Sequence, residues 1–201
     1  KIELVPVLDA TKSLVDIYFP TEIRKQKNLS IPVVIMAGGK GTRLRPYTES
    51  CPKPMLPVNG KPIIHHIIDD LLVSGFSDFY LSVNYKKEQI IDYFQDGSKW
   101  GININYLIED EPLGTAGALS LMREFNIKTP LIVINGDVLT RLNAGELLDY
   151  HTANGAKATM CVRKHSITIP YGVVESNGSF LESIREKPDI PYMANAGVYV
   201  V

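Results

Sequence analysis

The sequence predicts a three-layer α/β fold in which helices cover both faces of a mainly parallel, mixed sheet. Apolar runs of strand length alternate with amphipathic helical segments between residues 32 and 155. The first run, PVVIMA at 32–37, has no polar alternation, which is typical of a strand buried on both faces. Strands that alternate with helices are joined by right-handed crossovers and form a parallel sheet. Ligands bind such sheets beyond the carboxyl ends of the strands, so the loops there are candidate functional sites.

Composition excludes several classes of function. The 201 residues are 45% hydrophobic, which is enough for one core, and 21 basic residues nearly balance 22 acidic ones. This balance argues against a nucleic-acid partner and against a disordered acidic tail. No apolar run approaches the roughly 18–20 residues that cross a bilayer, and no signal-peptide pattern is present. We therefore expect a cytoplasmic protein without a membrane partner.

The N-terminal segment has a different character from the rest of the chain. Apolar runs at 2–8 and 14–19 predict a β-hairpin or two sheet strands, and the polar stretch 20–30 predicts a linker. We divide the chain into an extension at 1–30 and a domain at 31–201. The first residue is Lys rather than Met, and the final NAGVYVV falls inside a predicted strand, so we expect a domain truncated at its C-terminus.

The first helix of the domain is predicted within KPIIHHIIDDLLVSG, residues 61–75. Apolar pairs recur there every four residues, Pro62 occupies a tolerated first-turn position, and Gly75 closes the helix. Four neighbouring side chains are interpreted as the polar stripe of this helix rather than as a metal cluster: His65, His66, Asp69 and Asp70.

The remaining elements follow in chain order. Strands are predicted at 78–83, 102–108 and 130–135, and helices at 87–97, about 115–125 and 143–155. After residue 156 the pattern becomes mostly β, with strands predicted at 157–163, 171–176, 179–186 and 196–201.

A long irregular loop follows the first strand of the domain. Gly38-Gly39-Lys40-Gly41 leads into a stretch with arginines, prolines and a lysine but no helical or strand period. Ordered loops of this length are usually kept for function. Glycines let backbone N–H groups approach phosphate oxygens, and Arg43 and Lys53 supply charge that suits a polyphosphate. The alternative is a glycine turn that carries solvated basic side chains.

Two common phosphate-binding motifs are absent from this loop. GGKGTRL lacks the G-x-x-x-x-G-K-[ST] pattern of a P-loop, and the third glycine of G-x-G-x-x-G is missing. The loop therefore indicates neither an ordinary P-loop protein nor a dinucleotide-binding domain.

The loop sequence AGGKGTRLRPYTESCPKPMLPVNGKP, residues 37–62, resembles the signature GGxGTRLxPxTxxxPKPMLPVxGKP of the sugar-1-phosphate nucleotidylyltransferases. Further matches follow in the same order as in that family: EPLGTAGAL at 111–119, NGD at 135–137, YGVV at 171–174, EKP at 186–188 and NAGVYV at 195–200. The resemblance covers about residues 31–201. It implies a Rossmann-like, GT-A-like nucleotidyltransferase domain.

The resemblance also implies a reaction. A nucleotidyl group would pass from an NTP to a hexose 1-phosphate by in-line displacement of pyrophosphate, without a covalent enzyme intermediate, so positioning and electrostatics would provide the catalysis. Arg43 would hold the leaving pyrophosphate, Lys53 would neutralise the α-phosphate region, and Asp137 would bind Mg²⁺. A second metal-binding aspartate is expected beyond Val201, so a fragment that ends there would hold an incomplete metal site.

The other implied site residues fall into two groups. The nucleotide would be bound by Ala37, Gly38, Gly39, Gly41, Thr42, Glu109, Gly114 and Thr115. The sugar phosphate would be bound by Tyr171, Gly172, Glu186, Lys187 and Asn195. Within the second group, Lys187 supplies the cation that a sugar phosphate needs, while Glu186 and Asn195 suit sugar hydroxyl groups.

Several alternatives remain open at this point. The stretch EPLGTAGAL looks more like the guanylyltransferases that use mannose 1-phosphate, which favours GTP, but thymidylyl- and uridylyltransferases share nearly all the same residues. A regulatory module that senses nucleotides or sugar nucleotides would keep the fold without turnover; the presence of Arg43, Lys53 and Asp137 favours an enzyme. Residues 1–29 resemble the tail of a CBS domain. The alternative is a plain N-terminal extension. A homo-oligomer is compatible with this sequence.

Overall fold

The structure, a computed structural model, describes residues 5–8, 14–18, 29–111, 113–114, 116–127 and 129–201. Most of the predicted linker at 20–30 lies outside the described residues, and so does Thr115. No helix in the described part of the chain combines the length and the apolar character needed to cross a membrane.

The strands and helices of the described residues have the following bounds. The strands are β1 Val5–Leu8, β2 Leu14–Tyr18, β3 Val33–Met36, β4 Pro57–Val58, β5 Lys61–Pro62, β6 Asp78–Val83, β7 Asn103–Ile108, β8 Ile132–Asn135, β9 Thr159–Thr168, β10 Val173–Asn177, β11 Phe180–Arg185 and β12 Asp189–Val200. The α-helices are α1 Tyr47–Ser50, α2 Ile63–Val73, α3 Lys87–Phe94 and α4 Ala144–Ala153. Segments of 3-10 helix span Thr42–Leu44, Lys53–Met55, Ser98–Trp100 and Gly117–Phe125.

A six-stranded mixed sheet organises the domain, with the strand order β7-β6-β3-β8-β12-β9. Strands β7, β6, β3 and β8 are parallel, which confirms the predicted class. Strand β12 runs antiparallel to both of its neighbours, β8 and β9. Outside this sheet, β1 and β2 form the antiparallel hairpin predicted near the N-terminus, and β10 pairs with β11. The parallel strands bring their carboxyl ends to one edge, where the glycine-rich loop starts.

Strand β3 lies between two apolar clusters, as its unbroken apolar run predicts. Val33 and Ile35 are fully buried in the larger cluster, with apolar side chains of α2, α3 and α4. Val34 points to the other face and packs with Tyr80 and Met122, the latter from the 3-10 helix Gly117–Phe125. Alternate residues of a strand face opposite sides of a sheet, so a strand covered on both sides needs no polar position.

Three predicted elements differ from the structure. The helix predicted at about 115–125 is a 3-10 helix, Gly117–Phe125, and the last strand starts at Asp189 rather than near residue 196. Strand β9 also continues to Thr168, because β9 and β12 pair along an antiparallel arm from Thr168↔Asp189 to Val162↔Asn195. Among the residues that the structure describes, this part of β12 pairs with β9 alone. Pro191 is tolerated there, because proline, which has no N–H, fits a strand edge.

The interpretation of α2 as carrying a polar stripe is wrong for His65. Its side chain is buried, and the ring packs edge-on against Tyr93, Phe94 and Trp100. Nδ1 lies 2.8 Å from the Tyr93 hydroxyl, and Nε2 lies 3.4 Å from Asp69 Oδ1. His65 therefore joins α2 to α3 through an aromatic contact that helical periodicity in α2 alone does not reveal.

The burial of His65 leads to a prediction about pH. Burial lowers the pKa of His65, and the neighbouring Asp69 carboxylate partly offsets that effect. The unfolded chain then takes up this proton near pH 6.5, before the folded protein does, so we expect the free energy of unfolding to fall as the pH drops below about 6.5. Urea denaturation at about pH 7.5 and about pH 5.5 measures the loss.

Replacing His65 with glutamine removes the titrating ring, so that variant should lose less stability between the two pH values than the unmodified protein does. His165→Gln is the matched control, since His165 is exposed on the β9–β12 arm. An equal loss in His65→Gln and in the unmodified protein would contradict the assignment.

Candidate functional site

A cleft of about 440 Å³ opens where the carboxyl ends of β3 and β8 meet the glycine-rich loop. Both strands are central to the sheet, with Met36 of β3 directly beside Asn135 of β8. The position agrees with the expectation that loops at this edge carry the site. The lining residues are Met36, Gly38, Gly39, Gly41, Thr42, Arg43, Leu44, Lys53, Pro54, Glu109, Gly114, Asn135, Gly136 and Asp137.

The glycine-rich loop is held by hydrogen bonds to the body of the domain. The N–H of Ala37 donates to the carbonyl of Ser82 at 2.8 Å, which continues the β3–β6 pairing by one residue. Gly41 adopts φ +59°, a left-handed conformation that glycine enters without penalty. Its carbonyl accepts a hydrogen bond of 2.9 Å from the buried Thr48 hydroxyl, and the Tyr85 hydroxyl donates to the Thr48 carbonyl at 3.0 Å. The backbone of the loop is therefore fixed before any ligand binds.

Lys53 returns from the far end of the loop to the glycines. A Cβ on Gly41 would lie 3.0 Å from Lys53 Cβ, so a side chain at position 41 would crowd the lysine. Lys53 Nζ lies 2.5 Å from Asp137 Oδ2, and the two side chains are 34% and 35% exposed. Both residues line the cleft, and their ion pair joins two motifs that are 84 residues apart.

Asp137 is positioned by the close approach of two strand ends. The N–H of Gly136 donates to the carbonyl of Met36 at 2.9 Å, and a Cβ on Gly136 would lie 2.8 Å from that oxygen. No larger residue fits there without moving the backbone. The glycine before Asp137 thus sets the carboxylate directly across from the loop.

Arg43 belongs to the same cleft. It lies in the short 3-10 helix Thr42–Leu44 that follows Gly41, it lines the cleft, and its side chain is exposed. A guanidinium binds two phosphate oxygens at once, whereas the Lys53 ammonium acts as a compact charge. Two cations, a glycine backbone and the Asp137 carboxylate line one cleft, and this set suits a polyphosphate and a divalent metal ion.

Glu109 is a buried carboxylate that lines the cleft. It is 6% exposed and follows β7 directly. The Ser82 hydroxyl donates a hydrogen bond to Oε1, and the N–H of Leu113 donates to Oε2 at 3.0 Å. The Asn84 side chain donates to the Glu109 carbonyl at 2.6 Å. Both carboxylate oxygens and the backbone carbonyl of Glu109 therefore accept hydrogen bonds from neighbouring residues.

Sequence reasoning missed some of the residues that build the site. Asn135 and Gly136 line the cleft, and Ser82 and Asn84 stand behind Glu109. All four lie at or just after the ends of strands that neighbour β3 in the sheet. The rule that places ligands at carboxyl ends of parallel strands would have identified them once the strand order was known.

The predicted sugar-phosphate residues lie away from the cleft lining, in two places. Tyr171, Gly172, Glu186 and Lys187 meet at the base of the β10–β11 hairpin: Lys187 N–H donates to the Tyr171 carbonyl at 3.2 Å, and a Cβ on Gly172 would lie 3.1 Å from Glu186 Oε2. Asn195 lies on β12, where its Oδ1 accepts from Gly197 N–H at 2.8 Å.

Gly197 connects β12 to the cleft. A Cβ at this position would lie 2.7 Å from Asn135 Nδ2 and 3.0 Å from a methyl group of Val138, so only glycine permits this packing. The Asn135 amide therefore lies between the Asp137 region and the β12 residues that follow Asn195.

Most of the predicted nucleotide-binding residues line the cleft. Among the nucleotide-binding candidates, Gly38, Gly39, Gly41, Thr42, Glu109 and Gly114 line the cleft. Ala37 is 1% exposed and supports the loop through its backbone, and Thr115 lies outside the described residues. Cys51 lies in the same loop, but burial raises the pKa of its thiol, which does not favour a thiolate nucleophile.

Comparison with known proteins agrees with this geometry. A 175-residue match to the mannose-1-phosphate guanyltransferase of Yarrowia lipolytica is 38% identical, and the Saccharomyces cerevisiae protein of the same name is 36% identical over 176 residues. Each match covers 84% of this chain but 48% and 49% of those two proteins. The chain thus spans about half the length of the curated relatives it matches.

Solved structures and a family model also show similarity to nucleotidyltransferases. HddC from Yersinia pseudotuberculosis, crystallised with GMP-PN, superposes with a TM-score of 0.66 at 29% identity, covering 85% of this chain and 76% of HddC. A Bacillus anthracis structure named as a candidate glucose-1-phosphate thymidylyltransferase superposes with a TM-score of 0.67 at 26% identity, covering 85% and 71%. The model of the family described as nucleotidyl transferase matches residues 32–201. The chain belongs to the nucleotidyl transferase family.

Proposed function

We propose that the protein transfers a nucleotidyl group from an NTP, with GTP favoured, to a hexose 1-phosphate, giving a nucleotide sugar and pyrophosphate. The observation that carries this proposal is the Lys53–Asp137 ion pair of 2.5 Å across a glycine-lined cleft. When substrate binds, a phosphate group would replace Asp137 as the partner of Lys53, and a metal ion would replace Lys53 as the partner of Asp137. Relatives named mannose-1-phosphate guanyltransferases support GTP and mannose 1-phosphate as the first substrates to test.

The residues of the cleft have distinct roles in this proposal. The backbone from Gly38 to Thr42 faces the phosphates, Arg43 holds the pyrophosphate as it leaves, and Lys53 neutralises charge near the α-phosphorus. A sugar phosphate oxygen attacks in line with the leaving pyrophosphate. Because no covalent chemistry falls to the protein, its contribution is position and charge.

Asp137 is the residue that would hold Mg²⁺. In the described residues no three His, Cys, Asp or Glu side chains form a metal-binding group, so a closed protein cage is not present there. Mg²⁺ fits this donor set, because it is commonly bound by one or two carboxylates together with substrate phosphates and water. When bound, Mg²⁺ would stabilise negative charge on the phosphates.

The hexose phosphate is proposed to bind between the cleft and the hairpin base. Lys187 adopts φ +42° beside Tyr171, and Glu186 lies next to Gly172, so a cation and a hydroxyl acceptor share one turn. Asn195 on β12 provides a mixed donor and acceptor. Gly197 packs against Asn135, since a Cβ on Gly197 would lie 2.7 Å from Asn135 Nδ2, and Asn135 lies two residues before Asp137.

Pyrophosphate release by the intact protein tests the reaction. The assay combines GTP, dTTP, UTP, CTP and ATP with mannose, glucose and glucosamine 1-phosphates in the presence of Mg²⁺. We expect release that depends on both substrates, with GTP and mannose 1-phosphate the best pair. Pyrophosphate release with dTTP or UTP instead of GTP would support the proposed reaction but contradict the proposed nucleobase.

A non-catalytic sensing module is the second candidate. It would bind nucleotide or nucleotide sugar in the same cleft without turnover, so detectable binding with no pyrophosphate release across the whole grid would favour it. The presence of Arg43, Lys53 and Asp137 together in one cleft supports the enzyme.

The other proposals concern the organisation of the chain and its cellular setting. We propose a nucleotidyltransferase domain at 31–201 and an N-terminal extension at 1–30, whose β1–β2 hairpin is compatible with the tail of a CBS domain. If that extension binds an adenine nucleotide, titration of the intact protein with adenosine ligands should detect it; no binding would remove the CBS proposal. We also propose that the protein is located in the cytoplasm. Cell fractionation tests this location.

A further inference from the structure

The short helix α1 is held by side chains from another part of the domain. The last carbonyls of a helix have no donor within the helix, and in α1 they accept from two polar side chains. The Tyr85 hydroxyl donates to the Thr48 carbonyl at 3.0 Å and lies 3.4 Å from the Glu49 carbonyl. The Gln89 side-chain amide donates to the Ser50 carbonyl at 2.9 Å. The connection between β6 and α3, together with the first turn of α3, therefore fixes the position of α1.

Helix α1 in turn holds the glycine-rich loop through one buried hydroxyl. Thr48 is 1% exposed, and its hydroxyl donates to the Gly41 carbonyl at 2.9 Å. The same carbonyl accepts from the N–H of Leu44 at 2.9 Å. A backbone carbonyl oxygen has two lone pairs, so both acceptor positions of Gly41 are occupied by protein donors. These two hydrogen bonds set the direction of the Gly41 carbonyl.

The direction of the Gly41 carbonyl also sets the direction of the next N–H group. The Gly41–Thr42 peptide is trans, and the C=O and N–H groups of a trans peptide point in opposite directions. The N–H of Thr42 therefore points away from Thr48. Thr42 is exposed and lines the cleft, and its N–H donates to no acceptor among the residues that the structure describes. This N–H is available to a phosphate oxygen.

We propose that Tyr85 is a positioning residue for the glycine-rich loop. Its hydrogen bond to the Thr48 carbonyl keeps the Thr48 hydroxyl on Gly41, and this contact aims the Thr42 N–H at a phosphate oxygen of the nucleotide. The inference rests on the proposed nucleotide site and adds a residue outside the signature at 37–62. Tyr85 is not among the residues that line the cleft, so its effect on phosphate binding passes through Thr48.

Equilibrium binding of a nucleotide and of its nucleoside isolates the contribution of the loop. GTP has the phosphates that the loop would bind, and guanosine lacks them. The ratio of their affinities for the intact protein, measured by calorimetry with Mg²⁺ present, therefore reports phosphate binding. General loss of structure lowers both affinities by the same factor and leaves the ratio unchanged. If the turnover assay selects another base, that NTP and its nucleoside replace this pair.

The first variant removes the tyrosine hydroxyl alone. Tyr85→Phe keeps the aromatic ring, whose centre lies 5.5 Å from Lys86 Nζ. The net contribution of one hydrogen bond corresponds to roughly a three- to tenfold change in an equilibrium constant, so we expect the GTP-to-guanosine ratio to fall by that factor. Tyr150→Phe, on the exposed side of α4, is the matched control and should leave the ratio unchanged. An unchanged ratio in Tyr85→Phe would overturn the proposal.

Two substitutions of Thr48 test the contact through which Tyr85 acts. Thr48→Ser keeps the hydroxyl, so its GTP-to-guanosine ratio should stay close to that of the unmodified protein. Thr48→Val has nearly the same shape but removes the donor to Gly41, so it should lower the ratio at least as much as Tyr85→Phe does. Thr152→Val, exposed on α4, is the matched control. Equal ratios in Thr48→Ser and Thr48→Val would overturn the role of the hydroxyl.

The double variant Tyr85→Phe/Thr48→Val distinguishes a chain of contacts from two independent ones. Because Tyr85 acts through Thr48, the double variant should have the same ratio as Thr48→Val alone. Independent contacts would multiply the two decreases, and that result would overturn the proposal. The proposed function fails through a different result, in which the unmodified protein releases no pyrophosphate and binds GTP no more tightly than guanosine; the inference then fails with it. Turnover together with an unchanged ratio in Tyr85→Phe overturns the inference alone.

Discussion

Pyrophosphate release is expected to fall by at least about 10²-fold when Lys53 or Arg43 is replaced with alanine, with the fold unchanged. Removal of one preorganised donor from a charge-stabilising site typically costs 10²–10³ in rate, and both side chains line the cleft where phosphate charge would develop. Neither residue belongs to the apolar core. The Lys53–Asp137 pair is about one-third exposed, so its loss should change the free energy of unfolding by no more than about 1 kcal/mol.

Lys61→Ala provides a matched control for the lysine. Lys61 also forms an ion pair, with Asp69 at 3.0 Å, but that pair lies outside the cleft. The control should keep its turnover rate and lose a similarly small amount of stability. Unchanged rates in Lys53→Ala or Arg43→Ala, with circular dichroism showing a native fold, would mean that the phosphates bind elsewhere.

Replacing Asp137 with asparagine is expected to lower turnover by about 10²-fold or more and to weaken binding of Mn²⁺, a spectroscopic substitute for Mg²⁺. Loss of the carboxylate charge removes the ligand that a hard divalent cation prefers, while the amide keeps the size of the side chain. Paramagnetic resonance of Mn²⁺ in the presence of nucleotide measures the metal directly, independent of turnover. Asp69→Asn, the partner of Lys61, is the control and should not alter Mn²⁺ binding.

The two predictions can be separated by their readouts. Lys53→Ala should bind Mn²⁺ at least as well as the unmodified protein does before nucleotide is added, because it removes a cation that lies 2.5 Å from Asp137. Asp137→Asn should bind it less well. Tight Mn²⁺ binding in Asp137→Asn would show that another residue holds the metal.

Much of the fold was predictable because local pattern and tertiary role agree. The continuous apolar run at β3 predicted a strand covered on both faces, and Val33, Val34 and Ile35 are fully buried. The four-residue repeat in α2 predicted its helix, which spans Ile63–Val73. In both cases the hydrophobic period matches the geometry of one element, which is the strongest information that a single sequence contains.

The misassigned elements have a common cause. The 3-10 helix Gly117–Phe125 is nine residues long, and over that length periods of 3.0 and 3.6 residues differ by only about half a turn. Strand β12 begins at Asp189 because β9 pairs with it there, and neither strand alone predicts the length of that ladder. The burial of His65 likewise depends on Tyr93, Phe94 and Trp100, which come from other segments.

The sequence by itself determined the fold class, the glycine-rich loop and the residue types that suit a phosphate ligand, because these depend on neighbours within a few positions. Only the tertiary structure decided that Lys53 meets Asp137 and that Ser82 holds Glu109, since these partners are 84 and 27 residues apart. Their meeting depends on strand order: β6 and β8 both pair with β3, and β7 pairs with β6, which brings four strand ends to one edge. Sequence spacing does not encode that order, whereas burial of the shared apolar faces selects it.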